Sequence, residues 1–417
     1  MIQNKDSYTD KQRDYGYKFF IFVIVFFLAS VGFPSFRFLS QYNFLLLPIF
    51  LYIINKKGIH TPKPVYIVLL FIAIFSIIHF YLGHLTFIGC INLVLTIAVA
   101  LYTAVIMERK FLPAFVSVMK FFAFTSTFIW IALIFVPELH SILSNFASHL
   151  PQMMSNEWVE NNTNKGTSLY IYYLPTSSVT AYTNFIRNNG PFYEPGLFAS
   201  YLNIALVFNI CVNKKLLSKD NIVLILAILS TCSSAGYISF ILIVIFSAFM
   251  QKKWIYKIIT LSAVVFLWRP VMNLDFMANK IMSNYDNALT SSASRFGAIL
   301  YHLEKVKESP IIGYAGGIDE ISTPDGPITP SNKVISPNGL SYPFVFWGIP
   351  LAILFYFLLY DGFKKLTGIK NRWILLSLYI VILSTAFSQT ITTGLIILTI
   401  TSLSFTIKNN YYENSCC

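Results

Sequence analysis

Long apolar runs separated by short basic clusters constrain this chain more than any other feature of its sequence. Of its 417 residues 56% are hydrophobic and 12% are charged, whereas soluble domains carry about 25% charged residues. An apolar helix of about 20 residues spans a bilayer. The sequence therefore predicts an all-α polytopic membrane protein, with residues 1–417 forming a single membrane domain.

The basic clusters determine the predicted topology, because Lys and Arg are enriched in cytoplasmic loops. When every cluster is placed inside, the runs give about twelve transmembrane helices with both termini cytoplasmic. The runs 221–250 and 373–407 have basic residues at both ends, so each is predicted to cross twice, the first turning at Ser233–Gly236. The predicted runs are 19–33, 38–54, 65–82, 85–107, 112–136, 196–212, 221–250, 255–268, 342–360 and 373–407.

The predicted loops differ strongly between the two faces. Cytoplasmic loops are short and basic, whereas two large extracytoplasmic loops cover about 137–195 and 271–341. Long structured loops are usually functional. The chemistry is therefore expected on the outer face.

Charge and cysteine usage exclude several function classes. The net charge is +12, but the cations lie beside apolar runs as topology signals, so no nucleic acid partner is predicted. None of the five cysteines lies in the two large loops. No spacing suits a metal site, so neither a metal nor a cofactor is expected.

The segment from Arg187 to Ala199 joins the first large loop to an apolar run. It places the cation of Arg187 seven positions before the carboxylate of Glu194. Gly190 and Pro195 lie within or beside that interval and prevent a regular helix. This segment, called the elbow below, is predicted to hold an anionic ligand at the membrane surface.

Several short motifs point to one family. The elbow reads Arg187-x-x-Gly190-x-Phe192-x-Glu194-Pro195 and resembles the signature of the Wzy-type O-antigen and capsule polymerases. The second loop contains Ser-Ala-Ser-Arg at 292–295 and Pro-Ile-Ile-Gly-Tyr at 310–314, which are similar to elements of the wider polymerase and ligase superfamily. A Ser-rich turn at 233–234 matches a further element of these proteins.

The resemblance implies a fold and an activity. The fold would be GT-C-like, in the cytoplasmic (inner) membrane of a bacterium. The protein would be a metal-independent glycosyltransferase that polymerises polysaccharide. It would transfer a growing glycan from polyprenyl (undecaprenyl) diphosphate onto a lipid-linked oligosaccharide repeat unit. A chain-length regulator would be its partner, beside the lipid bilayer and the undecaprenyl-diphosphate-linked oligosaccharide.

The leaving group of such a transfer develops negative charge, which fixed cations stabilise. Guanidinium stays charged and contacts phosphate oxygens bidentately. Arg187 and Arg295, one from each large loop, are therefore the expected catalytic cations, and Arg269 is a third candidate that could equally be an interfacial anchor.

The remaining predicted site residues concern the proton and the sugar. Glu194 is expected either to deprotonate the acceptor hydroxyl or to orient an arginine. His302 follows Arg295 by two helical turns and is the alternative base. The expected substrate contacts are Gly190, Tyr193, Tyr314 and Asn338, in addition to Arg269 and His302.

Two other functions stay open from the sequence. A flippase for the same lipid-linked sugar would suit twelve spans, but it predicts short loops on both faces and two similar halves. An O-antigen ligase shares the transfer chemistry. Ligases carry a His-Asn pair before the tenth span, and this chain has Pro337-Asn338 there.

Overall fold

The computed structural model describes residues 4–34, 42–150, 166–175, 186–213, 215–250, 254–255, 257–258, 262, 295–316 and 338–407. Most of these residues are helical. The elements are α1 (Asn4–Gly32), α2 (Leu46–Lys57), α3 (Lys63–Tyr81), α4 (Phe87–Met107), α5 (Phe111–Phe135), α6 (Glu138–Ser148), β1 (Gly166–Ser168), β2 (Tyr173–Pro175), α7 (Pro195–Asn213), α8 (Lys219–Ser230), α9 (Ser234–Met250), α10 (Arg295–Glu308), α11 (Tyr342–Thr367), α12 (Arg372–Ser388) and α13 (Leu395–Thr406).

Four stretches are long and apolar enough, by length and composition, to cross a membrane: Lys63–Tyr81, Phe87–Phe135, Pro195–Asn213 and Tyr342–Thr367. The second of these contains both α4 and α5, which are joined by a single 3-10 turn, Glu108–Lys110. Shorter apolar helices lie at Gly16–Ala29, Ser234–Phe249, Arg372–Ser388 and Leu395–Thr406. The chain is thus a mostly helical protein with apolar helices suited to a bilayer.

Both runs that were predicted to cross twice are divided into two helices. The run 221–250 breaks at residues 231–233, between α8 and α9. The predicted turn at 233–236 is wrong for residues 234–236, which form the first turn of α9 and are capped by Ser233 Oγ. The run 373–407 breaks at residues 389–394, between α12 and α13. The predicted run 255–268 lies almost wholly outside the described residues.

The first large loop contains regular structure that an all-α prediction does not include. After α6, strands β1 and β2 form an antiparallel hairpin in which Gly166 pairs with Pro175. Each strand has three residues, which is too short for an alternating pattern to be visible in sequence. Tyr172 and Leu174 pack with Leu133 of α5 in a small separate core. The hairpin is thereby fixed against the C-terminal end of α5.

Helix α7 lies at the centre of the described bundle. Every residue from Pro195 to Cys211 is buried, and the helix packs against α5, α8, α9 and α12. A helix that is apolar on all sides belongs inside a protein. Its buried Asn203 donates to the carbonyls of Ala199 and Gly236 at 2.9 and 3.1 Å. These bonds join α7 to the start of α9.

The elbow and the 3-10 turn lie at opposite ends of α5. Helix α5 begins at Phe111, directly after that turn. Near its other end, Trp130 Nε1 donates to the carbonyl of Ile186, which precedes the elbow, at 2.8 Å. Nineteen residues of helix separate Phe111 from Trp130, about 28 Å. The described bundle therefore has an elbow end and a basic end.

Helices α11 and α13 pack so closely at Gly362 that a Cβ atom there would overlap the carbonyl oxygen of Ile400. We expect Gly362→Ala to destabilise the protein by about 2 kcal/mol, because well-packed helices must separate to admit the methyl group. Thermal unfolding in detergent measures this. Gly16→Ala in α1 is the control, since nothing lies within 4 Å of its Cβ position; equal destabilisation by both substitutions would contradict the close packing.

Candidate functional site

The elbow backbone is shaped by Gly190, which has a φ of +54°. A Cβ atom there would lie 2.6 Å from the ring of Phe198. The Gly190 amide donates to Asn188 Oδ1 at 3.0 Å, and the Phe192 amide donates to the Asn189 carbonyl at 3.1 Å. Glycine is therefore required by both conformation and space.

Asn188 fastens the elbow to two helices. Its side chain is fully buried, and its Nδ2 donates to Ser126 Oγ of α5 at 3.3 Å and to Ser230 Oγ of α8 at 2.8 Å. Its backbone amide donates to the Ser230 carbonyl at 3.0 Å. The position of the preceding residue, Arg187, is fixed as a result.

Arg187 turns toward the break between α8 and α9. Its Nε donates to the carbonyl of Thr231 at 3.1 Å. Burial lowers the pKa of the guanidinium, and Cys232 and Glu194 act in the opposite direction. Arginine nevertheless stays protonated in proteins. The structure thus holds a permanent, largely desolvated cation at the elbow.

Glu194 contacts the break between α12 and α13. Gln389 Nε2 donates to Glu194 Oε1 at 3.1 Å. A Cβ atom on Gly196 would lie 2.8 Å from Gln389 Nε2 and 3.6 Å from Ser233 Oγ. Gly196 therefore leaves the space in which the amide reaches the carboxylate. Three inter-helix segments, at 186–194, 231–233 and 389–394, meet here.

Among the described residues, the Ser-rich segment contributes one buried hydroxyl without a hydrogen-bond partner. Ser233 Oγ accepts from the Gly236 amide at 3.3 Å and caps α9. Ser234 Oγ is buried and has no hydrogen-bond partner among the described residues. An unsatisfied buried hydroxyl in a folded protein requires an explanation, such as a bound water or ligand.

Aromatic packing holds the elbow in place. Phe192 is fully buried, and its ring centroid lies 4.9 Å from that of Phe33 and 5.4 Å from that of Tyr201. The Tyr193 amide donates to the Gly32 carbonyl at 3.3 Å, and its side chain is half-buried. The elbow is thereby pinned to the end of α1.

His302 and Asn338 belong to a second polar group, on α10 and at the start of α11. Asn338 is buried, and its Oδ1 accepts from the amides of Leu340 and Ser341 at 3.0 Å. Ser341 Oγ donates to the same oxygen at 3.2 Å, and His302 Nδ1 lies 2.6 Å from Ser341 Oγ. Ser341 Oγ thus links the imidazole of His302 to the side chain of Asn338.

The two polar groups are joined through the segment 389–394. A Cβ atom on Gly339 would overlap the carbonyl oxygen of Gln389. Thr392 Oγ1 donates to the Gly339 carbonyl at 2.8 Å. Gln389 thus bonds Glu194 with its side chain and contacts the Asn338–Gly339 turn with its backbone.

An apolar cavity of about 400 Å³ lies beside this second group. Its walls include Ile299, Leu303, Val306 and Phe344, with His302 and Asn338 among the lining residues. A cavity of this kind accommodates hydrocarbon rather than sugar.

Tyr314, a predicted sugar contact, is placed elsewhere. Its hydroxyl donates to Glu308 Oε2 at 2.8 Å, and its ring centroid lies 4.9 Å from that of His84. Burial and the bond to Glu308 raise the pKa of Tyr314 to about 12. None of these contacts involves the elbow.

Of the other two predicted arginines, one is described in its backbone alone and one is not described. Arg269 lies outside the described residues. Arg295 begins α10, two helical turns before His302, and its side chain is outside the description. Within the described ranges no group of three or more His, Cys, Asp or Glu residues could hold a metal ion.

Sequence reasoning missed Asn188 and Gln389. Gln389 did carry a signal, since it is a polar residue inside the apolar run 373–407, where polar side chains usually face a protein interior. Asn188 lies within the elbow motif, but nothing in its spacing reveals its partners, Ser126 and Ser230.

Comparison of the chain with protein-family models, with curated proteins and with solved structures gives no significant match in any of the three.

The burial of His302 generates a pH prediction. Burial lowers the pKa of His302 to about 4, below the value of about 6.5 in an unfolded chain. The unfolded state therefore binds more protons between these values, and stability falls as the pH drops from about 6.5 to about 4, by up to about 3 kcal/mol. Thermal unfolding at a series of pH values should show a weaker dependence for His302→Gln than for the wild type; parallel curves would contradict the buried neutral imidazole.

Proposed function

We propose that this chain is a membrane glycosyltransferase of the O-antigen and capsular polysaccharide polymerase type. It would have twelve transmembrane helices in a GT-C-like arrangement, with both termini cytoplasmic. It would work at the outer face of a bacterial cytoplasmic membrane. Its substrates would be glycans linked to polyprenyl diphosphate.

The observation that carries the proposal is the largely desolvated guanidinium of Arg187 beside Glu194, at a junction of three inter-helix segments. A buried ionisable group whose pKa is shifted by desolvation marks a candidate functional site. Cations in a partly dry site stabilise developing phosphate charge better than water does. The bent elbow and the resemblance of its motif support the same chemistry.

The reaction would proceed by displacement at the anomeric carbon of the donor glycan. A hydroxyl at the non-reducing end of the acceptor forms the new C–O bond as the bond from the anomeric carbon to the phosphate oxygen breaks. Polyprenyl diphosphate leaves with the electron pair, and Arg187 and Arg295 balance its charge. Glu194 takes the hydroxyl proton, and no metal takes part.

Ser234 and the apolar cavity fit the remaining parts of such a substrate. The buried Ser234 hydroxyl has no described partner and would bond a sugar or phosphate oxygen. The cavity beside α10 is apolar and would take isoprenoid units. His302, which also lines this cavity, is the second candidate base.

The direct test supplies purified protein in detergent with a polyprenyl-diphosphate-linked oligosaccharide alone. Longer lipid-linked glycans together with released polyprenyl diphosphate are expected, as resolved by gel electrophoresis and mass spectrometry. Transfer to lipid A instead would indicate a ligase. If turnover requires sealed vesicles with two compartments and no glycosidic bond forms, the protein is a transporter.

Loss of the Arg187 charge should slow the reaction. Arg187→Gln is expected to lower kcat about a hundredfold, since one fixed cation contributes about 3 kcal/mol to a developing oxyanion. Arg187→Lys should recover part of the rate. Lys305→Gln is the matched control, since it also removes one positive charge from the predicted outer face. Lys305 pairs with Glu308 at 2.9 Å. A similar fall in kcat in that variant would show that the effect is not specific to Arg187.

Gln389 is expected to act as a positioning residue for Glu194. Gln389→Leu removes the donated hydrogen bond and should lower kcat about tenfold with little change in KM. Gln389→Glu should be slower still, because it places like charges together. In both variants the loss should appear in kcat while KM stays nearly constant; a rise in KM with kcat unchanged would contradict the positioning role.

A further inference from the structure

We propose that a cavity at the basic end of the bundle binds the phosphate-bearing headgroup of an anionic phospholipid. The cavity has a volume of about 700 Å³. It lies where the end of α4, the 3-10 turn Glu108–Lys110 and the end of α13 meet the loop between α2 and α3. Such a volume accommodates a headgroup and the first carbons of an acyl chain.

The cavity lining has two parts. Val105, Met107 and Ile407 contribute apolar surface. Arg109, Lys110 and His60 contribute cationic or protonatable groups. An apolar wall with basic groups matches an amphipathic anion, whereas a soluble phosphate would need only the basic part.

The backbone at the cavity is unusual. Glu108 has a φ of +43° and a ψ of −124°, a conformation that residues with a side chain rarely adopt. It ends α4 and turns the chain directly into Arg109 and Lys110, so that both follow on a single 3-10 turn. Strain of this kind is commonly found at ligand-binding segments.

The surroundings add positive charge at the same end. Lys56 and Lys57 end α2, and Lys63 begins α3, on either side of the loop that lines the cavity. The Lys110 ammonium lies 5.9 Å from the ring centroid of Phe20. Each basic residue near an anionic headgroup contributes about 1 kcal/mol. The site is separated from the elbow by most of the length of α5, so it is not part of the proposed transfer chemistry.

Native mass spectrometry of the full-length protein tests the assignment. The probes are phosphatidylglycerol and cardiolipin, with phosphatidylcholine as the zwitterionic comparison. We expect the wild type to retain the anionic lipids preferentially. The double substitution Arg109→Gln with Lys110→Gln should weaken that binding about thirtyfold, because two cations are lost. Arg372→Gln, a cation at the exposed start of α12, should leave it unchanged.

Two further measurements distinguish a lipid phosphate from a soluble phosphate and control for misfolding of the double variant. Inorganic phosphate at millimolar concentration should not displace the lipid; displacement would reassign the site to a soluble anion. If the double variant fails to fold, Ile59→Trp provides a second test. It keeps every charge and places a larger side chain in the cavity, which Ile59 lines, so it should also reduce lipid binding. Equal retention of all three lipids, or equal loss in Arg372→Gln, would overturn the proposal.

Glu108→Gln is expected to change the affinity for anionic lipid in the opposite direction, toward tighter binding. The Glu108 carboxylate lines the same cavity and should repel an anionic headgroup. Its neutralisation is expected to strengthen binding about fivefold. Weaker binding in this variant would contradict an anionic ligand.

Discussion

The hydrogen bonds of the buried Asn188 amide are the interaction on which the elbow depends. A side-chain amide offers two donor hydrogens and one oxygen, and all three groups are engaged, by Ser126, Ser230 and the Gly190 amide. A buried amide that lost these partners would cost about 1–3 kcal/mol for each group left unsatisfied. The same residue therefore locks α5 to α8 and sets the turn at Gly190. Arg187 and Glu194 lie on either side of Asn188 in the elbow, so their side chains extend from backbone that these hydrogen bonds hold in place.

Irregular backbone among membrane helices is stable only where protein covers it or where it lines a cavity. The breaks at 231–233 and 389–394 both meet this condition at the elbow. Thr231 presents its carbonyl to Arg187, and Gln389 presents its amide to Glu194. Each break thus satisfies a charged group that would otherwise be costly to bury. The polar groups of the helix breaks and the two charged side chains of the elbow are thus hydrogen-bonded to one another.

The sequence predicts those parts of the fold that depend on local pattern. Apolar runs with basic residues at both ends predicted the divisions of 221–250 and 373–407, because charge bias acts on each loop separately. The elbow was recognisable because Gly and Pro restrict backbone locally. Contacts between distant segments left no such pattern. The bond between Gln389 and Glu194, which are 195 positions apart, and the three-residue strands of the hairpin could be found only from the structure.

The polar group around His302 bears on the missing histidine of the His-Asn pair. The position before Asn338 is occupied by Pro337, so sequence order leaves Asn338 alone. In space, α10 brings His302 to Ser341, which is itself bonded to Asn338. A histidine is thus coupled to this asparagine through one hydroxyl, from a different segment of the chain. Tertiary contact therefore takes the place of adjacency in sequence in bringing a histidine to this asparagine.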